Sequence, residues 1–286
     1  MSTNAGDFRR RFDRPIFIVS SPRSGSSLLF QTLARAPDVF TIGGESHQLI
    51  EALPGLHPRL RGWSSNRLDA ADATPALAEE LSRRFYLSLR DRKGHPPTGT
   101  VRLIEKTPKN SLRVPFLHAA FPDARFVFLY RDPRETLSSM IEAWTSGGFR
   151  TYPALPDWPA PPWSLLLVPG WRALAGRPLA EIVAHQWATT MTCLLDDLET
   201  LPPARIHALS YDALLAAPQR TVTVLCDGLE LGWDATLGDT LPLSPTVVSQ
   251  PAPEKWRRDA DAIAAIWPIV EAADARARAA LKRYAR

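Results

Sequence analysis

The sequence predicts a three-layer α/β fold: a central parallel sheet of about five strands with helices on both faces. Two observations carry that reading. Short strand-like runs alternate with longer stretches of helical periodicity from near the start of the chain to residue 228, the pattern that builds parallel sheets through crossover helices. Several runs are also apolar throughout, as strands covered on both faces are.

The strand candidates are Ile16–Ser20, Val39–Ile42, Val101–Glu105, Arg125–Tyr130 and Arg205–Leu209. The first is a β-branched and aromatic run that breaks at Ser21-Pro22 and turns through Gly25. It re-enters an apolar pattern at helical spacing with Leu28, Leu29 and Leu33. The helical stretches are Ser27–Ala36, Thr74–Arg92, Asn110–Ala120, Arg134–Trp144, Pro178–Leu201 and Pro218–Gly228. The second of these is well punctuated. Thr74 is a capping residue, Pro75 suits the first helical position, and Leu77, Leu81, Phe85 and Leu89 form a core stripe. Pro202-Pro203 stops the helix that opens at Pro178. Two irregular segments, residues 51–73 and 145–177, interrupt the alternation. The second holds six prolines and three tryptophans (Trp158, Trp163, Trp171). It is long for a connection in a compact domain, so it reads either as a binding insertion or lid, or as a packed surface excursion.

At 286 residues the chain suits a single domain, residues 1–286. A chain of this size buries roughly three-quarters of its unfolded surface without staples. A net charge of +4 fits an anionic ligand and is too small to point to nucleic acid. Cys193 and Cys226 sit in apolar contexts and read as buried thiols, with no disulfide framework or metal-ligand spacing. The Met1–Arg14 stretch has charges and no apolar core of a signal peptide. The longest apolar runs, such as Leu165–Val168, are too short to span a membrane. A cytoplasmic protein without a membrane span is therefore expected. Oligomeric state has no sequence signal.

The strand, small-residue turn and helix start at 16–33 form an anion cradle. Free backbone N–H groups and the helix dipole point to one spot, and Arg23, Ser24, Ser26 and Ser27 add charge and hydroxyls. A second such junction follows. Phe126–Tyr130 runs into Arg131-Asp132-Pro133, where Asp132 is a plausible N-cap and Pro133 fits the first helical turn. Arg131 then stands at the C-terminal end of a strand, where open α/β sheets bind ligands. Ser139 follows eight residues later, about two helical turns on.

The first loop resembles a P-loop but has no Lys after Gly25; its cation, Arg23, stands two residues before. Pro22-Arg23-Ser24-Gly25-Ser26-Ser27-Leu28 resembles the 5′-phosphosulfate loop of sulfotransferases that use 3′-phosphoadenosine 5′-phosphosulfate (PAPS). It is most similar to the tyrosylprotein and related bacterial branch. The Arg131…Ser139 pair resembles the family's 3′-phosphate site, with Ser138 as a neighbour. The resemblance implies a P-loop-like three-layer sandwich. It implies that Arg23, Ser24, Gly25, Ser26 and Ser27 hold the 5′-phosphate and that Arg131 and Ser139 hold the 3′-phosphate of PAPS, whose product is 3′,5′-bisphosphoadenosine. Leu209–Pro218 resembles the family's strand, Tyr-Glu-Asp-Leu turn and proline-led helix. Ser249–Trp256 resembles the loop by which bacterial members close over the nucleotide. There Lys255 is either a phosphate contact or a solvated lysine opening the C-terminal helix.

For the proton-accepting base, cytosolic members use a His in a Lys-Thr-His segment; here Glu105-Lys106-Thr107-Pro108 keeps the lysine and places Pro108 at the His position. The tyrosylprotein branch places a Glu in a Gly-Glu-Glu-Thr segment after the second strand. Thr41-Ile42-Gly43-Gly44-Glu45-Ser46 matches it with one residue inserted. Glu45 is thus the implied general base, His47 its reserve, and a helix-capping carboxylate the alternative. Lys106 also follows a strand, and Arg23 and Lys106 are expected to flank the bridging oxygen and stabilise the leaving phosphate. Glu105 reads as pairing with a cation, and His118, His185 and His207 as structural. Trp63, Trp158, Trp163 and Trp171 read either as an apolar acceptor wall or as core residues. The resemblance implies sulfuryl transfer to a small-molecule or peptide hydroxyl acceptor. The competing readings are a kinase-like P-loop nucleotide enzyme and a non-catalytic nucleotide-binding module.

Overall fold

The structure, a computed structural model, describes residues 7–159, 161–242 and 254–285. The apolar runs form β1 (Ile16–Val19), followed by α1 (Ser26–Leu33), β2 (Val39–Phe40), α2 (His47–Glu51) and α3 (Pro75–Ser88). Then come β3 (Arg102–Lys106), α4 (Val114–Ala120), β4 (Arg125–Tyr130), α5 (Pro133–Ser146), β5 (Arg150–Tyr152) and β6 (Trp163–Ser164). The chain continues through α6 (Leu179–Glu199), β7 (Ile206–Ser210), α7 (Tyr211–Ala216), α8 (Pro218–Leu229) and α9 (Ala260–Tyr284). The main sheet has the order β2-β3-β1-β4-β7 and every pairing in it is parallel.

Side-chain alternation assigns the two faces of this sheet. Ile16, Ile18, Val127 and Leu129 pack with Leu29 and Leu33 of α1 and with Val222 and Leu225 of α8. Phe17, Val19, Phe126 and Phe128 pack on the other side with residues of α3, α4, α5, α6 and α9. The chain leaves β1 toward one face and β4 toward the other. The crevice beyond the ends of these adjacent strands is therefore the switch point at which open α/β sheets take ligands.

The five expected strands are all present, and the differences are local. The stretch expected as one helix from Asn110 is a 3-10 turn, Pro108–Leu112, followed by α4, because Pro115 near its start removes an amide donor. The helix expected to reach Arg92 stops at Ser88, where Arg90 turns away to pair with Thr41. Among the expected helices none covered α9, whose apolar stripe carries Pro268 within the helix.

The 145–177 segment resolves toward packing. Its β5–β6 hairpin is antiparallel. Trp163 and Trp171 are fully buried. The Trp163 ring sits 5.3 Å from Trp144, 4.8 Å from Trp158 and 5.9 Å from Trp171, all edge-on, the arrangement the aromatic quadrupole favours. Its indole N–H donates to the Leu166 carbonyl at 3.0 Å. Cys193 and Cys226 are free thiols, partly and fully buried. Among the described residues no helix is long and apolar enough to cross a membrane.

Trp163→Ala is expected to lower the unfolding free energy by about 3–5 kcal/mol, the usual cost of removing a large buried ring. Urea denaturation checks it, and a loss below 1 kcal/mol, far under that range, removes the cluster from the core.

Candidate functional site

A cleft of about 1020 Å³ opens along the C-terminal edge of the sheet. Its floor begins at the turn after β1. Ser20 N–H donates to Ser111 Oγ at 2.9 Å, and Ser111 Oγ donates back to the Ser20 carbonyl at 2.6 Å, which ties the turn to the segment after β3. Arg23 and Gly25 adopt positive φ of 66° and 88°, a conformation that strains a non-glycine residue and marks a constrained functional turn. Gly25 has a second reason to lack a side chain: a Cβ there would lie 2.2 Å from the Tyr211 ring. Leu28 and Leu29 N–H donate to the Gly25 carbonyl. The helix starts with Ser26 and Ser27, whose N–H groups have no intrahelical acceptor, and both residues line the cleft.

Of the loop residues expected to touch a ligand, Arg23, Gly25, Ser26 and Ser27 line the cleft. The Ser24 side chain does not. It is buried, with its Oγ 2.7 Å from Ser21 Oγ. The positive φ at Arg23 turns the next side chain inward, so Ser24 braces the loop from below.

Arg131 leaves the end of β4 and donates to the Arg23 carbonyl at 3.0 Å and to Glu135 at 3.3 Å. Its guanidinium lies 4.7 Å from the centroid of the Tyr211 ring. Arg23 lies 4.7 Å from the Phe149 ring and donates to Ser139 Oγ at 3.2 Å. The rings fix both planar cations. The structure therefore groups Arg23 with Arg131 and Ser139, whereas Lys106 is engaged elsewhere. Burial and the neighbouring Arg131 both work against the Arg23 charge, and Glu142 supports it. Ser138 is occupied, donating to Asp259 at 2.5 Å. Lys255 opens a 3-10 segment, Lys255–Asp259, and pairs with Glu142 at 3.3 Å across the cleft. Arg258 reaches the same carboxylate at 3.5 Å. Ser249–Pro253, the rest of the expected closing loop, lies outside the described residues.

Glu45 follows a turn through Gly43 (φ 73°) and Gly44. Its Oε1 accepts from Lys106 Nζ at 2.7 Å, and its Oε2 lies 3.7 Å from His47 Nδ1. It therefore pairs with the lysine instead of capping α2. Lys106 is 5% exposed and reaches the cleft from the end of β3. Burial and the charge on Lys109 lower the affinity of His47 for a proton, and Glu45 opposes them. Glu105, expected to pair with a cation, is fully buried and receives Ser46, Thr107 and Asn110 instead. Glu105, Thr107 and Asn110 are near in sequence, but Ser46 comes from a segment 59 residues before Glu105, so no local pattern announces the group.

Beyond Glu45 the cleft is walled by Trp63, Phe149, Tyr152, Leu165 and Leu166. Of the four tryptophans expected there, only Trp63 lines it; Trp163 and Trp171 belong to the core. Below this wall Glu51 accepts from Lys109 at 2.9 Å and from Arg113 at 2.5 Å. Burial alone would raise the Glu51 carboxyl. The charges and hydrogen bonds of Arg113 and Lys109 outweigh it and hold it below the ordinary 4.5. His118, His185 and His207 lie away from the cleft.

One end of the cleft thus offers guanidinium, ammonium, hydroxyl and amide donors to anions, and the other an apolar wall beside a carboxylate. That donor set fits a nucleotide carrying two separate phosphates. The model of the sulfotransferase family matches residues 15–161, about half of the chain. Protein-tyrosine sulfotransferase 1 of Danio rerio is 31% identical over 131 residues, 44% of this chain and 35% of that protein. The Homo sapiens protein of the same name is 30% identical over 131 residues, 44% of this chain and 33% of its own. The match therefore takes in about a third of the length of these two relatives. A sulfotransferase crystal structure from Mycobacterium avium has a TM-score of 0.52 at 15% identity, covering 90% of this chain and 75% of that one. At that identity it shows a shared fold.

A carboxylate held below its unfolded value contributes stability above that value and loses it as pH falls through the folded one. Glu51→Gln is therefore expected to be less stable than the parent at pH 7. The gap should narrow as pH falls below 4.5. Denaturant melts across that range check it, and a gap independent of pH contradicts it.

Proposed function

We propose that this chain, which belongs to the sulfotransferase family, transfers a sulfuryl group from PAPS to a hydroxyl acceptor with Glu45 as general base. The observation that carries the reading is the Glu45–Lys106 pair, 2.7 Å apart, in the same cleft as the Arg23–Gly25 turn and Arg131. PAPS supplies, when bound, a sulfuryl group on a bisphosphate that leaves readily. The remaining work falls to the protein's own groups. The amides at the start of α1, with Ser26 and Ser27, bind the 5′-phosphate. Arg131 and Ser139 bind the 3′-phosphate, and Arg23, hydrogen-bonded to Ser139, spans the ground between the two sites. Lys255 joins them by exchanging Glu142 for phosphate.

Lys106 offsets negative charge that grows on the leaving oxygen. In a low-dielectric cleft such a fixed charge acts strongly and needs no rearrangement. Glu45 takes the acceptor's proton on Oε2, the oxygen that does not receive the Lys106 hydrogen bond. His47, 3.7 Å away and held toward its neutral form, can receive that proton in turn. Trp63, Phe149 and Tyr152 favour an acceptor whose hydroxyl sits on an aromatic or apolar body, either a small molecule or a peptide side chain.

Glu45→Gln is expected to keep the affinity for 3′,5′-bisphosphoadenosine and to lose about 10²–10⁴-fold in turnover, the contribution of a positioned base. Calorimetry reads the first; the second is read by mass gain of a sulfuryl group on acceptors from a screen with PAPS. Full turnover in the variant removes Glu45 from the mechanism.

A further inference from the structure

We propose that Glu105 is a positioning residue: from beneath the cleft it anchors the turn that presents Glu45 to Lys106. The proposal rests on the reading of Glu45 as the base.

Glu105 is fully buried, a position that a carboxylate occupies at high cost unless donors surround it. Its Oε1 accepts from Ser46 Oγ at 2.7 Å and from Thr107 Oγ1 at 2.5 Å, and its Oε2 accepts from Asn110 Nδ2 at 2.7 Å. Having given its one proton to Glu105, Thr107 Oγ1 is left as an acceptor. It receives the Ser46 N–H at 2.7 Å. Ser46 is thus tied by both backbone and side chain to the end of β3. Burial favours the neutral form of Glu105, and the three side-chain donors oppose it.

The arrangement is a staple. Glu105 and Lys106 are consecutive in a strand and point to opposite faces. Glu105 is in register with Phe17 of the larger core and Lys106 with Ile18 of the smaller one. Glu45 and Ser46, also consecutive, straddle the same strand end: Glu45 takes Lys106 and Ser46 takes Glu105 and Thr107. Apart from Lys106, the Glu45 carboxylate meets His47 at 3.7 Å. A Cβ added at Gly43 or Gly44 before it would meet nothing within 4 Å, and the Glu45 side chain is 37% exposed. Burial of the Glu105 group therefore sets the position of an otherwise loosely held carboxylate, and a misplacement of about 1 Å at such a group costs on the order of 10²-fold in rate.

The role is geometric, so the amide of Glu105→Gln should serve. Its oxygen accepts the two hydroxyls. Its NH₂ faces Asn110, whose Oδ1 has no partner and turns to accept it. Thr107→Val removes the backbone half of the staple with little change of shape and leaves Ser46 Oγ on Glu105. In Thr107→Val the Ser46 amide is expected to exchange its hydrogen faster by NMR, while β1 amides and the affinity for 3′,5′-bisphosphoadenosine stay as in the parent. Its kcat should fall about 10²-fold at constant KM for PAPS. Glu105→Gln should keep both the amide protection and kcat. Unchanged Ser46 exchange or unchanged kcat in Thr107→Val overturns the proposal. So does a Glu105→Gln as impaired as Thr107→Val, or a Thr107→Val whose melting temperature and nucleotide affinity fall together. If the parent protein transfers no sulfuryl group, the reading of Glu45 fails, and the exchange data still decide whether the staple exists.

Discussion

Parallel pairing of β1 with β3 on one side and β4 on the other decides where the chemistry of this protein sits. Side-by-side parallel strands end at the same edge. The turn after β1, Lys106 at the end of β3 and Arg131 after β4 therefore converge without any loop having to reach for them. Helices leaving β1 and β4 toward opposite faces open the crevice between them. A register slip of one residue in β3 would exchange Glu105 and Lys106 between core and cleft.

The cleft is built under tension. Arg23 and Arg131 stand close enough for Arg131 to work against the Arg23 charge, and Arg23 does so in a strained backbone conformation. Stacking on Phe149 and Tyr211, support from Glu142 and the Arg131 bond to the Arg23 carbonyl hold this arrangement together. Cations fixed in advance spare a ligand the cost of ordering them. An arriving phosphate would gain two oriented guanidinium groups and relieve their repulsion. The same logic applies at Glu45, held by Lys106 above and by the Ser46 anchor below.

Much of this was legible in the sequence, and what escaped has a common physical cause. The five strands declare themselves by apolar runs. The turn at Arg23–Gly25 and the Arg131–Ser139 spacing are local patterns, and the cleft receives all of them. Ser24 reads like its neighbours, yet its side chain faces the core, because the backbone angle of the preceding residue decides its direction. Trp163 and Trp171 look like wall residues in a proline-rich stretch and are core, since composition does not reveal that four tryptophans meet. Glu105 and its partners come from residues up to 64 apart, and the Lys255–Glu142 pair spans 113. Such contacts exist only once the chain has folded.

The central claim is that two donor clusters in one cleft grip the two phosphates of one adenosine. A calorimetric titration of the unmodified protein with 3′,5′-bisphosphoadenosine, run beside ATP with Mg²⁺, tests it most directly. The bisphosphate should bind one per chain, raise the melting temperature and weaken as salt is added, with ATP unable to displace it. No heat and no stabilisation from the bisphosphate, or tight binding of ATP in its place, would contradict the claim.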